Sequence, residues 1–128
     1  MRCQTLDTPL QVRFSNGAFS GTCDATPEKG GAGQGFRPHE LLEAALGSCT
    51  SMVLMSYAKN HGIPLAGVEV DVSLDRSEAG VARFLCRIVL RDDLTPQQRE
   101  RLLRAAKACP VRKTLACEMV FEEAATRA

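Results

Sequence analysis

The chain has no tryptophan, one tyrosine and five phenylalanines. So few aromatic faces leave little for bases to stack on, and a formal net charge of +1 offers no basic footprint for a polyanion. Nucleic acid and an anionic membrane surface are therefore not expected partners. Histidine is nearly as scarce, with only His39 and His61. No C-x-x-C pair occurs and no cysteines and histidines fall at zinc spacing, so no metal site is expected. No wholly apolar run approaches the roughly 18 residues that a bilayer crossing requires. The N-terminus carries no secretory pattern. The six cysteines (3, 23, 49, 86, 109 and 117) are accordingly expected as reduced thiols of a cytoplasmic protein rather than as a disulfide scaffold.

At 128 residues the sequence is long enough for one core and too short for two, so a single domain over 1–128 is expected. Its first segment, 1–25, reads as an N-terminal hairpin. LQVRF (10–14) and AFSGTC (18–23) flank Asn16-Gly17, a pair suited to a type I′ turn. Cys3 and Cys23 in this segment are expected to be structural. Residues 26–38, TPEKGGAGQGFRP, form a glycine-rich loop. GGAGQG lacks the Walker lysine and the strand-then-helix setting of a dinucleotide fingerprint, so it is read as a flexible connection. Its glycines also permit close backbone approach to a substrate or a partner subunit.

The central feature is a helix over 39–61, within PHELLEAALGSCTSMVLMSYAKNHG. Pro38 suits a first turn, early glutamate suits the positive end of the dipole, and Gly62 and Pro64 stop it. Between 44 and 58 apolar side chains fall on almost every side, so the helix is expected to be enclosed. Ala44, Ala45, Gly47, Ser48 and Ser51 are small enough to let another element approach closely.

A second hairpin is expected over 67–92. Val68, Val70, Val72 and Leu74 alternate with Glu69, Asp71, Ser73 and Asp75. In the return strand Phe84, Cys86, Ile88 and Leu90 share a face, which places Cys86 in the core. Thr95, Pro96 and Gln98 make a capping box that opens a helix over 95–108. A C-terminal strand over 115–123 completes the order ββ–α–ββ–α–β, an α+β arrangement of hairpins rather than parallel βαβ units.

Two cysteines stand out. Cys49 follows Gly47-Ser48 inside the central helix, and Cys109 precedes Pro110 at the end of the second helix. Buried free cysteine is the commoner reading of each from periodicity, and a functional pair is the other. The motifs around them decide the choice. G-x-x-P-x-E-L-L (35–42), A-L-G-S-C-T (45–50) and the distant C-P-V (109–111) resemble the OsmC/Ohr family, the osmotically inducible protein C and organic hydroperoxide resistance proteins. The likeness runs from about Pro27 to Phe121 and is greatest to the OsmC-like branch.

The resemblance implies an OsmC-like fold in which antiparallel hairpins wrap a long buried central helix and two chains interlock as a homodimer. It implies a cysteine-based hydroperoxide reductase in oxidative stress defence, with Cys49 as the peroxidatic thiol and Cys109 as the resolving thiol. The substrate would be an organic hydroperoxide, the reductant an external dithiol, and no metal or organic cofactor would take part. An apolar pocket lined by Met52 and Leu46 would favour organic peroxides over hydrogen peroxide. The alternative is a dimer of the same fold that binds a small molecule or lipid, or senses redox state, without turnover.

The family also implies an activating arginine held by a glutamate. Cys49 lies about 15 Å into its helix at about 1.5 Å per residue, too far for that helix's own N-terminus to lower its pKa. A cation must come from elsewhere. Arg2, Arg13 and the loop residue Arg37 are the N-terminal arginines, with Arg13 favoured among them and another cation left open, and His39 or Glu40 takes the place of the glutamate.

Overall fold

The computed structural model describes residues 1–127. Its elements are three short strands, β1 (Arg2–Thr5), β2 (Val12–Ser15) and β3 (Ser20–Cys23), a long helix α1 (Pro38–Asn60), two long strands, β4 (Gly67–Asp75) and β5 (Arg83–Arg91), and two further helices, α2 (Pro96–Ala106) and α3 (Pro110–Leu115). They form two compact units, with α1, β4 and β5 contributing residues to both.

The first unit is Met1–Ala45 with Ser73–Leu85. Here β1, β2 and β3 form an antiparallel sheet in chain order, with Cys3 opposite Phe14 and Val12 opposite Cys23. The hairpin at Asn16-Gly17 forms, but not as a type I′ turn, which needs a left-handed Asn16. Leu10 is the non-glycine residue with a positive φ, while Gly17 takes φ 101°. Asn16 instead turns its side chain inward, Oδ1 accepting the backbone N–H groups of Ala18 at 3.0 Å and Phe19 at 2.8 Å.

The glycine-rich segment is not the loose connection expected of it. Pro27–Lys29 makes a single 3-10 turn, and Phe36 bridges to Cys23. The buried carboxylate of Asp24 holds the segment from inside, accepting N–H groups of Ala25 (2.7 Å), Ala32 (3.3 Å) and Gln34 (3.1 Å) and the Gln11 side-chain amide at 3.1 Å. Oriented backbone donors need an acceptor when buried, and one carboxylate serves several of them.

The second unit is Leu46–Val72 with Cys86–Ala128. Its core joins Leu54 and Ala58 of α1 to Ile63, Leu90, Leu94, and Leu102 and Ala106 of α2. Gly47 does what its size suggests: a Cβ there would sit 3.2 Å from Val72 Cγ2, so β4 runs close against the helix. The Thr95 capping box opens α2 as expected, with the Gln98 N–H donating to Thr95 Oγ1 at 3.1 Å and the Thr95 N–H to Gln98 Oε1 at 3.0 Å. β4 and β5 pair as a two-stranded sheet. The cross-strand ion pairs Glu69–Arg91 and Asp71–Arg87 run in the antiparallel sense.

Three expectations are corrected. First, α1 is not enclosed in the single chain. Leu46, Gly47, Thr50, Leu54 and Ala58 are buried, but Leu42, Met52 and Met55 are exposed, Met52 by 71%. Periodicity shows where apolar side chains point, not what covers them. By length and composition the same helix is also apolar enough to cross a membrane, a property that core helices share. Second, Cys86 is exposed rather than core: its face of β5 is buried at Leu90 and half-buried at Phe84 and Ile88, but at Cys86, as at its neighbours Leu85 and Arg87 on the other face, the strand is left uncovered. Third, no strand forms over 115–123. Residues 110–115 are helix, closed by the Ala116 N–H on Arg112 O and the Cys117 N–H on Thr114 O, and 116–127 are irregular. An alternating sequence becomes a strand only where an edge pairs with it.

Candidate active site

Cys49 sits on α1 beside the buried Thr50, where the helix turns its inner face into the second unit. Cys109 is the N-cap of α3, the residue at which the chain leaves α2, and its side chain is fully buried at 0% exposure. A proline at N1 fixes this start, since Pro110 has no N–H to leave unpaired. The two thiols, 60 residues apart in sequence (109 − 49), meet here. They are neighbours close enough for each to shift the other's ionisation, and both are free.

The surroundings of the two sulfurs differ. Cys49 is pushed above the ordinary thiol value first by the neighbouring Cys109 thiol, then by burial and the charge of Cys109, with only the Val111 amide opposing. For Cys109, burial is the largest single effect and raises the pKa. The Cys49 thiol, the Arg112 amide, the Thr50 hydroxyl and the Val111 amide together outweigh it, and the net direction is down. Cys109 closes no full capping hydrogen bond on α3, so the two amides act by proximity and charge rather than as a formed cap.

The groups that move Cys49 are thus a thiol and an amide, not a cation. The arginines considered from sequence lie in the first unit. Arg13 is an exposed residue of β2, opposite Gln4 and Thr22. Arg37 is held by Glu40: its Nε and Nη2 donate to Glu40 Oε1 at 3.0 and 2.7 Å, and its backbone N–H to Oε2 at 2.9 Å. The backbone and side-chain donors of Arg37 keep the Glu40 carboxyl below the ordinary value. His39 points instead into a groove of about 480 Å³ that it lines with Leu10, Val12, Cys23, Arg37 and Leu74. Of the two candidates for the acid partner, Glu40 is the one that holds an arginine.

The remaining cysteines take no part in the pair. Cys3, Cys86 and Cys117 are exposed, and Cys23, raised by burial and by Cys3, belongs to β3. Among the described residues no three His, Cys, Asp or Glu side chains gather as a metal site. Two residues of structural weight escaped the sequence reading. Thr50 was hidden in a small-residue run, although its place next to Cys49 was a signal. Asp24 stands just before a glycine-rich segment, where many backbone donors need one acceptor.

Residues 31–124 match the family model described as OsmC-like protein. This chain belongs to the OsmC-like family. Solved structures share the fold. A protein of Psychrobacter arcticus 273-4 assigned to osmotic stress induction and detoxification response is 23% identical, with a TM-score of 0.73, covering 88% of this chain and 85% of its own. An organic hydroperoxide resistance protein OsmC from Legionella pneumophila is 19% identical, with a TM-score of 0.66 and coverage of 90% and 86%. The organic hydroperoxide resistance protein OhrB of Bacillus subtilis is 22% identical, with a TM-score of 0.61 and coverage of 90% and 87%. No curated protein sequence matches the chain. The OsmC-like fold seen here is α+β, with antiparallel strands and a long central helix.

Proposed function

We propose that this OsmC-like protein is a thiol-dependent peroxidase that reduces organic hydroperoxides in the cytoplasm, with Cys49 as peroxidatic and Cys109 as resolving thiol. The observation that carries the reading is that the fold brings two free thiols together as neighbours, one on α1 and the other at the start of α3, each shifting the other's ionisation. Membership of a family that includes organic hydroperoxide resistance proteins supports it.

In the cycle the Cys49 sulfur attacks the distal oxygen of the hydroperoxide, the O–O bond breaks, and the alkoxide leaves to become an alcohol. Cys49 is then a sulfenic acid. Cys109 attacks its sulfur, hydroxide leaves to become water, and a Cys49–Cys109 disulfide remains. An external dithiol reduces the disulfide by exchange and restores both thiols. Two thiols have then given the two electrons that the peroxide accepts. With the two thiols already neighbours before the reaction, resolution would be fast relative to over-oxidation.

The working unit in this reading is a homodimer. The exposed apolar side chains of α1, Leu42, Met52 and Met55, are the surface that a second copy would cover. Met52, one turn beyond Cys49, would supply apolar surroundings that favour an organic peroxide. The cation that the family implies for Cys49 would come from Arg37, held by Glu40, or from Arg13, of this chain or of its partner.

The raised Cys49 thiol gives one ground for a second reading, a redox-sensing or ligand-binding dimer without sustained turnover. The assay that separates them is consumption of cumene hydroperoxide with a dithiol reductant. The peroxidase reading expects many turnovers in the wild type and none in Cys49→Ser. Equal consumption by the two proteins would end it, and a single turnover would favour the sensor.

A further inference from the structure

Depth separates the two thiols of the pair. Cys109 is 0% exposed, whereas Cys49, its neighbour on α1, is half-buried. Both belong to the second unit, so it is the chain's own packing that closes over Cys109. Thr50 of α1 and Leu102 and Ala106 of α2 are buried as well. A second subunit could only bury this sulfur further. Cys49 stands differently: in the peroxidase reading a hydroperoxide has to reach it, so the working protein holds a path from solvent to that sulfur.

A Cys49–Cys109 disulfide would therefore have one open end and one closed end. In thiol–disulfide exchange the attacking thiolate, the sulfur attacked and the leaving sulfur lie close to one line, and access decides which sulfur is attacked. An attacker on Cys49 comes from the open side, and the sulfur that leaves is the inner one. An attacker on Cys109 would have to arrive through side chains packed at interior density.

We propose that the reductant attacks the oxidised pair at Cys49 alone. The mixed disulfide of the reductive half-cycle then forms on the same sulfur that meets the peroxide, and Cys109 bonds to no molecule from outside. The proposal rests on the peroxidase reading for the need of a reductant; the ranking of the two sulfurs stands on burial.

The steps balance. One thiolate of an external dithiol bonds to the Cys49 sulfur, the Cys49–Cys109 bond breaks, and its electron pair leaves with Cys109, which takes a proton from solvent. The dithiol's second thiol gives up its proton and attacks the dithiol sulfur bonded to Cys49. That bond breaks, Cys49 leaves as a thiolate, and the dithiol closes on itself as a disulfide. The dithiol has lost two electrons and the pair has gained two.

The test uses 4,4′-dithiodipyridine, a small uncharged disulfide, on the reduced full-length variants Cys49→Ser and Cys109→Ser. Exchange of a protein thiol with this probe needs the same open line to sulfur as attack by a reductant. Timed samples are quenched in acid, and the mixed disulfide is located by peptide mass spectrometry, so the other cysteines do not interfere. Each rate is divided by the rate of the same variant in denaturant, which removes intrinsic reactivity. Cys109 in Cys49→Ser should be slowed by folding at least about tenfold more than Cys49 in Cys109→Ser, as a buried thiol that waits for local opening. Equal slowing of the two, or stronger slowing of Cys49, would overturn the proposal. Cys109→Ala replaces Cys109→Ser if a buried hydroxyl prevents folding. Labelling uses no hydroperoxide, so the two ideas fail separately. A protein without turnover that shows this order refutes the peroxidase reading alone, and a peroxidase whose Cys109 is as open as Cys49 refutes this proposal alone.

Discussion

The Asp24 carboxylate accepts the backbone N–H of Gln34 at 3.1 Å, ten residues further along the chain. With Ala25, Ala32 and Gln11 as further donors, it is the internal anchor of the glycine-rich segment. The Gln34 amide, joined by the Gln11 side chain and the other amides, outweighs burial and holds Asp24 below the ordinary 3.8. A depressed carboxyl pKa means stability that is present above the unfolded value and lost as pH falls through the folded one. The amides of Ala32 and Gln34 should therefore be protected from hydrogen exchange at neutral pH and lose protection in acid below the ordinary carboxyl range. Asp24→Asn should remove the protection at neutral pH as well. Unchanged exchange at both amides in the variant would show that the anchor lies elsewhere.

Gly31 makes the same segment intolerant of a side chain. A Cβ there would stand 2.0 Å from Ala25 O and 2.7 Å from Asp24 Oδ1, both on the inner side of the loop. Gly31→Ala should cost about 1–3 kcal/mol, the usual range for overpacking, and should appear as a lower melting temperature. A variant as stable as the wild type would mean that the loop shifts freely.

How much of this was legible in the sequence differs by element, for physical reasons. The capping box at Thr95 and the start of α1 at Pro38 depend on neighbours within a turn, so they could be read directly. The strand expected at 115–123 depends on an edge to pair with, which its alternation cannot supply, and the chain instead makes the short α3. The exposure of Met52 and of Cys86 is of the same kind. Cys49 and Cys109 were singled out by their motifs, but Thr50, the third member of their cluster, looks like any helical threonine until Cys109 is packed against it.

The core of the second unit depends on Leu54 and Leu102, each fully buried. Truncation leaves a cavity as well as lost transfer energy. Leu54→Ala or Leu102→Ala should therefore destabilise the protein by about 2–5 kcal/mol. Denaturant melts followed by circular dichroism measure this, and a loss below about 1 kcal/mol would indicate a core that collapses around the gap.

Met52 is the complementary case. At 71% exposure in the single chain, its replacement by glutamate should change the stability of an isolated chain by no more than about 0.5 kcal/mol. If a second copy covers this face, as proposed, a buried unpaired charge there is strongly unfavourable. Sedimentation should find a dimer for the wild type and a monomer for Met52→Glu. Two proteins with the same sedimentation behaviour would remove this face of α1 from the interface.

The central claim concerns one bond. Reduced protein treated with one equivalent of cumene hydroperoxide, then alkylated, digested and analysed by mass spectrometry, should yield the peptide pair joined through Cys49 and Cys109. The same treatment of Cys109→Ser should leave Cys49 as a sulfenic acid or a more oxidised form. Unmodified thiols at both positions in the wild type, after the hydroperoxide has been given time to react, would contradict the account.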